Sequence, residues 1–328
     1  MVSLRTLTRA AAFAALGALA LTNCSGGIGG GAVPRTLDAQ ARAAAPNPDV
    51  AGKALYVSDS YGKSVFRFAL AGDGTLVAPA GSSLVLAYNP GAIAVGPGGL
   101  LYVCDQGNES IEVYKPRASG SAKPLRSLML PFAPSSVGVD ANGYLFVGGF
   151  SNGFVAVYAP KAHGMAPSIQ QIALPDHHLS VNGVALDSQG DLYMSDTNEI
   201  SEFTTPTTNP TLFRAIIGAG EQNVPSGMAL ARNGEVYAAN TGSSNILAYS
   251  PTANGKDGPD RTIVSTNPPI VGPIGVAIRG TTLYSTSGTT FFGPPSVFVL
   301  NALQGTQTPK QVVTGPYLAS PVGAALGP

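Results

Sequence analysis

The sequence predicts an all-β fold, a six-bladed β-propeller of four-stranded blades spanning residues 51–328. Three observations lead there. A short apolar and aromatic triplet recurs six times, each recurrence sits in the same order of strands and turns, and the two ends of the repeat region are complementary pieces of one unit.

The triplet is LYV at Leu55 and Leu101, LFV at Leu145, LYM at Leu192, VYA at Val236 and LYS at Leu283, at intervals of 46, 44, 47, 44 and 47 residues. No sustained helical spacing lies inside that period, so the unit reads as one blade of four strands. The first strand precedes the triplet: PGAIAV from Pro90, PSSVGVD from Pro134, VNGVALD from Val181, PSGMALA from Pro225 and PIGVAI from Pro273. Turns such as DANG and DSQG, whose residues tolerate hairpin backbone angles, join it to the triplet strand. A third strand follows (SVFRF, SIEVY, FVAVY, EISEF, NILAY, SVFVL), and its alternation predicts one buried face. A more variable fourth strand reads LVLAY, RSLML, IQQIAL, FRAIIG, RTIVS and QVVT. The composition agrees: 41 Gly and 27 Pro, with 12 Tyr, 12 Phe and no Trp, suit many short strands between turns.

The repeat region opens with a second strand, ALYVSD, and closes with a first strand, SPVGAALGP. Val322 to Leu326 is therefore expected to pair with the strand at Leu55, completing blade 1 and removing the open sheet edges. The run P-x-G-x-A-x-D-x-x-G-x-L-Y-V-x-D-x-x-x-x-x-V-x-V-Y, fullest at Pro134 to Tyr158 and Val181 to Phe203, resembles the NHL repeat. That resemblance implies the fold. It leaves the activity open, because NHL-like propellers include scaffolds, ligand binders and a few enzymes.

Ahead of the repeats, Arg5 and Arg9 precede an uncharged Ala- and Leu-rich stretch from Ala10 to Thr22. About 13 apolar residues are too few for the roughly 20 of a membrane-spanning helix, so residues 1–23 are expected to be an export signal. Leu21-Thr22-Asn23-Cys24 resembles the lipobox of bacterial lipoproteins, with Asn23 where that family prefers Gly, Ala or Ser. The resemblance implies a lipidated Cys24, membrane attachment through it, and a place in the outer membrane or cell envelope, with plain secretion or a periplasmic place as the alternative. Residues 24–50, rich in Gly and Ala, read as a flexible tether.

Charged residues make up 11 % of the chain and cancel to zero, which excludes the basic footprint of a nucleic-acid binder. With Cys24 lipidated, Cys104 has no partner, and the fold is not stapled by disulfides. A monomer is expected.

Candidate site residues come from aligning the blades with one another. The residue four after each triplet's first is Asp59, Asp105, Gly149, Asp196, Asn240 and Ser287. Short polar residues at strand ends cap turns by accepting backbone N–H groups. The functional alternative is that Asp59, Asp105, Asp196 and Asn240 converge at the channel mouth on a ligand or a calcium ion. Cys104 falls in a slot filled elsewhere by Ser58, Gly148, Ser195, Ala239 and Thr286, which reads as packing. Asp140 and Asp187 fall in hairpin turns at the opposite end, and Glu109 on an exposed turn. His177 and His178, beside Asp176 and Asn182, occupy a loop on the ligand face, but neighbouring histidines point apart from an extended backbone. Phe291 and Phe292, neighbours on one loop, are expected to bury each other; the functional alternative is an apolar contact patch on that face with Phe150, Tyr61 and Tyr317.

Two functions follow as expectations. The favoured one is a non-enzymatic binding or scaffold module with no cofactor, recognising a protein, peptide or glycan with its loop face. The alternative is a divalent-metal hydrolase or lyase similar to the gluconolactonase and regucalcin propellers. That resemblance implies one cation in the channel, held by a Glu with Asn and Asp residues of different blades. Amidating lyases with NHL-like blades imply instead a zinc among histidines of separate blades, a distribution this sequence lacks. No G-x-S-x-G elbow, H-E-x-x-H or phosphate-cradling loop is present.

Overall fold

Each blade forms because four short β-prone segments follow one another through tight turns, which leaves an antiparallel meander as the paired arrangement. The computed structural model describes residues 54–77, 79, 83–175, 180–218, 220–288 and 294–328. Blade 2 is representative: Pro90–Val95 lies innermost, followed outward by Leu101–Asp105, Ser110–Tyr114 and Arg126–Met129. The inner strands of the other blades are Pro134–Val139, Gly183–Leu186, Pro225–Leu230, Pro273–Arg279 and Pro321–Gly327. Each touches the next around a closed ring. Pro321–Gly327 pairs antiparallel with Ala54–Asp59, Leu326 opposite Leu55, so blade 1 is completed as expected.

Two details differ from the sequence reading. The outer layer of blade 1 is split: Leu76–Val77 and Leu84–Val85 each pair with Ser64–Leu70, separated by the breaker-rich APAGSS. The second and third strands are also buried on both faces. Leu101–Asp105 and Val236–Asn240 are buried throughout. A blade has a neighbour on each side, so no face of its middle strands meets water, and alternation of chemistry does not translate into alternation of burial.

The core is accordingly six layers, one per blade interface. Cys104, Ile111 and Val147 pack between blades 2 and 3, and Tyr237, Leu283 and Phe298 between blades 5 and 6. Each fully buried large side chain contributes about 1.5–3 kcal/mol.

The rim holds contacts that the sequence reading missed. Pro116-x-Ala118-x-Gly120, Pro160-x-Ala162-x-Gly164 and Pro251-x-Ala253-x-Gly255 repeat between third and fourth strands, and each Gly has a positive φ (58°, 59° and 56°). The Gly120 N–H donates to Ser83 O at 2.9 Å, and its carbonyl accepts from Val85 N at 2.8 Å; Gly164 and Gly255 reach the preceding blades in the same way. These glycines clasp one blade's outer strand to the next blade. At the blade 4–5 interface Arg214 adds a staple. Its Nε lies 2.5 Å from Glu202 Oε2, Nη1 donates to Pro251 O and Ala253 O at 2.6 and 2.9 Å, and Nη2 to the Tyr193 hydroxyl at 3.3 Å. Arg261 repeats the device one interface on, with Glu235, Tyr237 and Ala302 O.

Candidate functional site

The six slot residues all lie at one end of the ring, because each second strand finishes opposite the start of its inner strand. Asp59 faces Pro321, Asp105 faces Pro90, Gly149 faces Pro134, Asn240 faces Pro225 and Ser287 faces Pro273. Asp59, Asp105, Asp196 and Asn240 are buried.

Among the described residues, the hydrogen-bond partners of these side chains lie within their own blades. Asp59 Oδ1 accepts the N–H groups of Gly62 at 2.7 Å and Ser320 at 3.0 Å, and Oδ2 accepts that of Ala319 at 2.6 Å. One carboxylate thereby fixes both its own turn and the loop entering the inner strand. Asn240 does the same work without charge, accepting Asn223 N–H at 2.6 Å and donating to Glu221 O at 2.8 Å. Asp105 accepts from the backbone and side-chain nitrogens of Asn108 at 3.1 and 2.6 Å. Asp196 Oδ1 accepts the N–H groups of Asn198 and Glu199 at 2.7 and 2.9 Å. Ser287 donates to Val271 O. The arrangement is a set of loop ties.

The slot one residue earlier ties blades together. Ser58 Oγ accepts Gly323 N–H at 2.9 Å within its blade and donates to Gly91 O of the next at 2.7 Å. Thr286 Oγ1 accepts Gly275 N–H at 2.8 Å and donates to Val322 O at 3.1 Å, and Ser195 donates to Pro225 O at 3.0 Å. Cys104 occupies this slot in blade 2 and is fully buried. Burial, and secondarily the charge of Asp105, push its thiol well above the usual range, so it stays protonated and is no nucleophile.

Between these ties lies the channel mouth, formed by the second and third residues of the segments that lead into the inner strands, counted from Pro90, Pro134, Val181, Pro225, Pro273 and Pro321. The third position is Gly in four blades because the strands nearly touch: a Cβ on Gly183 would stand 1.9 Å from Ser226 O, and one on Gly227 2.4 Å from Ile274 O. The second position supplies Gly91, Ser135, Asn182, Ser226, Ile274 and Val322, two hydroxyls and an amide but no carboxylate. Asn182 accepts from Ser180 Oγ at 3.0 Å, and Ser135 donates to Val181 O at 2.5 Å. On the loops of this face Tyr61, Phe150 and Tyr317 are 56, 46 and 39 % exposed. Tyr61 and Tyr317 belong to the two loops joined by Asp59, and Tyr317 also lies against Phe66, ring centres 5.4 Å apart. His177, His178, Asp176, Phe291 and Phe292 lie outside the described residues, as do Cys24 and the segments 1–23 and 24–50.

At the far end, Asp140 Oδ1 accepts the N–H groups of Asn142 and Tyr144, and Asp187 Oδ1 those of Gln189 and Asp191. Both acids hold hairpin turns, as expected. Glu109 is exposed in a turn with φ 53°.

The gluconolactonase resemblance implies a divalent cation, and the donor set tests it. A hard cation takes mainly carboxylate and carbonyl oxygens from several elements at once. The acids at the mouth are engaged by N–H groups inside single blades, and among the described residues no three His, Cys, Asp or Glu side chains come together in a way that could hold a metal ion. The described residues do not fit a resident divalent cation.

Comparison with known proteins fixes the relationship at the level of family and fold. No curated protein matches the sequence. The structure of a nidogen/laminin complex contains a chain with 15 % identity and a TM-score of 0.65, covering 84 % of this chain and 98 % of that one. A candidate 6-phosphogluconolactonase from Bacteroides uniformis ATCC 8492 is similar at 18 % identity and TM-score 0.55, covering 80 % of this chain and 82 % of that one. A streptogramin B lyase structure is similar at 14 % identity and TM-score 0.54, covering 84 and 88 % of the two chains. These likenesses show the propeller fold. The family described as SMP-30/Gluconolactonase/LRE-like region matches residues 49–259, and the chain, a six-bladed propeller with NHL-like blades, belongs to it.

Proposed function

We propose that the protein is a binding module that recognises a ligand on the Asp-slot face of its propeller without using a resident divalent cation. The observation that supports this reading is the commitment of Asp59, Asp105 and Asp196 to backbone N–H groups. The Ser226 hydroxyl is spent as well, donating to Thr241 Oγ1, which itself donates to Pro273 O, so the mouth keeps the neutral amide of Asn182 and the surrounding loops keep exposed Tyr61, Phe150 and Tyr317. Aromatic faces beside neutral hydrogen-bonding groups suit a peptide or glycan better than a strongly charged partner. Array screening of peptides and glycans tests it. A saturable ligand whose affinity falls about tenfold or more with Tyr61→Ala or Phe150→Ala is expected, and failure of every such substitution to change binding contradicts the assignment to this face.

A second reading is a hydrolase or lyase of the gluconolactonase group, and family membership favours it over a protein- or glycan-recognising module. Turnover of sugar lactones that requires added metal and is abolished by Asp105→Ala or Asp196→Ala, in variants that still fold, would establish it in place of the first.

We also infer export, with attachment to the cell envelope through lipid on Cys24. Mass spectrometry of the mature N-terminus should show a diacylglycerol-modified Cys24; an unmodified terminus at another residue refutes the anchor.

A further inference from the structure

Blades 2, 3 and 5 join their third and fourth strands with loops of one pattern: KPRASGSAKPL from Lys115, APKAHGMAPSI from Ala159 and SPTANGKDGPD from Ser250. Their backbone duty is shared, since Gly120, Gly164 and Gly255 each bridge to the outer strand of the preceding blade. Their surface chemistry differs. In blade 5, Lys256 is set against Asp257 and Asp260, and the loop has no large apolar side chain. In blade 2, Lys115, Arg117 and Lys123 come with no acid, and the loop ends on Leu125. In blade 3, Lys161 comes with no acid and is followed by Met165 and Ile169. These side chains are exposed, Met165 to 89 %. Blade 5 makes the same bridge without them, so the fold does not require them.

The two loops share one stretch of rim. Gly164 N–H donates to Ser127 O at 2.8 Å and its carbonyl accepts from Met129 N at 2.7 Å. The blade 3 loop therefore crosses the outer strand that follows Leu125, and Met129 on that strand is exposed as well. Although charge over the whole chain cancels, residues 113–139 and 141–175 contain no Asp or Glu. The nearest acid in the chain, Glu112, accepts the hydroxyls of Ser110 and Ser127, and Asp140 holds its own turn. Lysines without acids, beside apolar side chains that stand out from the rim, match a surface seated on anionic lipid. The ammonium groups attract headgroup phosphates, and the apolar side chains enter the acyl boundary. An acidic protein would reward only the lysines.

The position of these loops agrees. Leu101 faces Tyr114 in blade 2 and Ala54 faces Ala69 in blade 1. The loop after Tyr114 and the point where residue 54 enters the ring thus lie at the same end, remote from the Asp slots. Residues 24–53 reach at most about 100 Å when extended, enough for that end to meet a membrane that holds Cys24.

We propose that the rim of blades 2 and 3 docks on an anionic phospholipid surface. Lys115, Lys123 and Lys161 lie among the headgroups, and Leu125, Met165 and Ile169 enter below them. The Asp-slot face then points away from the membrane. Docking does not depend on the anchor, so its test removes the lipidation site.

The full chain with Cys24→Ser carries an environment-sensitive fluorophore on Met165→Cys; buried Cys104 stays unlabelled. A second protein carries it on Leu303→Cys, an exposed position of blade 6 across the ring. Each is mixed with vesicles of equal parts phosphatidylglycerol and phosphatidylcholine, or of phosphatidylcholine alone. A blue shift at position 165 is expected only with the anionic vesicles, fading at high salt, with none at position 303. Lys123→Gln with Lys161→Gln should weaken binding about tenfold or more, and Lys256→Gln should leave it unchanged. No shift at position 165, an equal shift at position 303, or undiminished binding by the folded double variant overturns the proposal. So does binding to soluble poly-glutamate as tight as to the vesicles, which would assign the rim to an acidic protein.

Discussion

Asp59 tests the idea that the slot aspartates are ties. Its carboxylate is buried and accepts three backbone N–H groups, from Gly62, Ala319 and Ser320, at 2.7, 2.6 and 3.0 Å. Asp59→Ala leaves those donors without their acceptor where water has little access. An unmet buried donor costs about 1–3 kcal/mol. The exposed turn at Gly62 recovers part of this from solvent, so the expected loss is about 3–5 kcal/mol. For a domain of this size that corresponds to a fall in Tm of about 10 °C. Asp105 serves one residue, Asn108, on an exposed turn, so Asp105→Ala should cost only about 1–2 kcal/mol. The chain has no Trp, so unfolding in guanidinium chloride is best followed by circular dichroism. An Asp59→Ala protein within about 0.5 kcal/mol of wild type, or an Asp105→Ala protein that loses more than it, would refute the reasoning.

Gly183→Ala places a Cβ 1.9 Å from Ser226 O, a backbone atom that moves only with its strand, so the variant should lose about 2 kcal/mol or more in the same denaturation assay. Arg214→Met strands the buried Glu202 and should cost about 3–5 kcal/mol, whereas Arg214→Met with Glu202→Leu should recover most of that loss; a double-mutant cycle measures the difference. The phenols of Tyr237, Tyr249 and Tyr284 are each pushed up to about 12, in every case chiefly by burial. Their folded values exceed the unfolded value near 10, so the stability they contribute is complete below about pH 10 and is lost as pH rises towards 12. Melting temperatures across that window should fall, with phenolate absorbance appearing on unfolding; early titration of all the tyrosines at constant Tm would contradict this.

The blade architecture was legible because its determinants are local. The triplet, the turn residues and the Pro-led inner strands each mark one short element, and their spacing alone counts the blades. Ring closure was legible too, since ALYVSD lacks a partner that SPVGAALGP supplies. The interblade devices were not read, because they join residues whose neighbours in space belong to another repeat. Arg214 meets Pro251 and Ala253 across an interface, 37 and 39 residues away in the chain. The Pro-x-Ala-x-Gly repeat was present in the sequence as a signal, but its meaning lies in the positive φ that turns a glycine towards the preceding blade. Burial of both faces was missed for a related reason: alternation speaks for one sheet, and stacking adds a second neighbour. Of the candidate site residues, Cys104 and the slot aspartates could be weighed by comparing blades, because a slot shared with Ser58, Ala239 or Asn240 indicates shape and hydrogen bonding. The histidine pair offered no such comparison.

The central claim is that the slot carboxylates hold loops and that the described residues of that face do not form a resident cation site. Calorimetric melting of the purified, chelator-treated protein with and without added calcium or zinc tests it most directly. Unchanged melting temperatures at millimolar metal are predicted; a saturable stabilisation by either ion that disappears in a folded Asp105→Ala or Asp196→Ala protein would contradict the account.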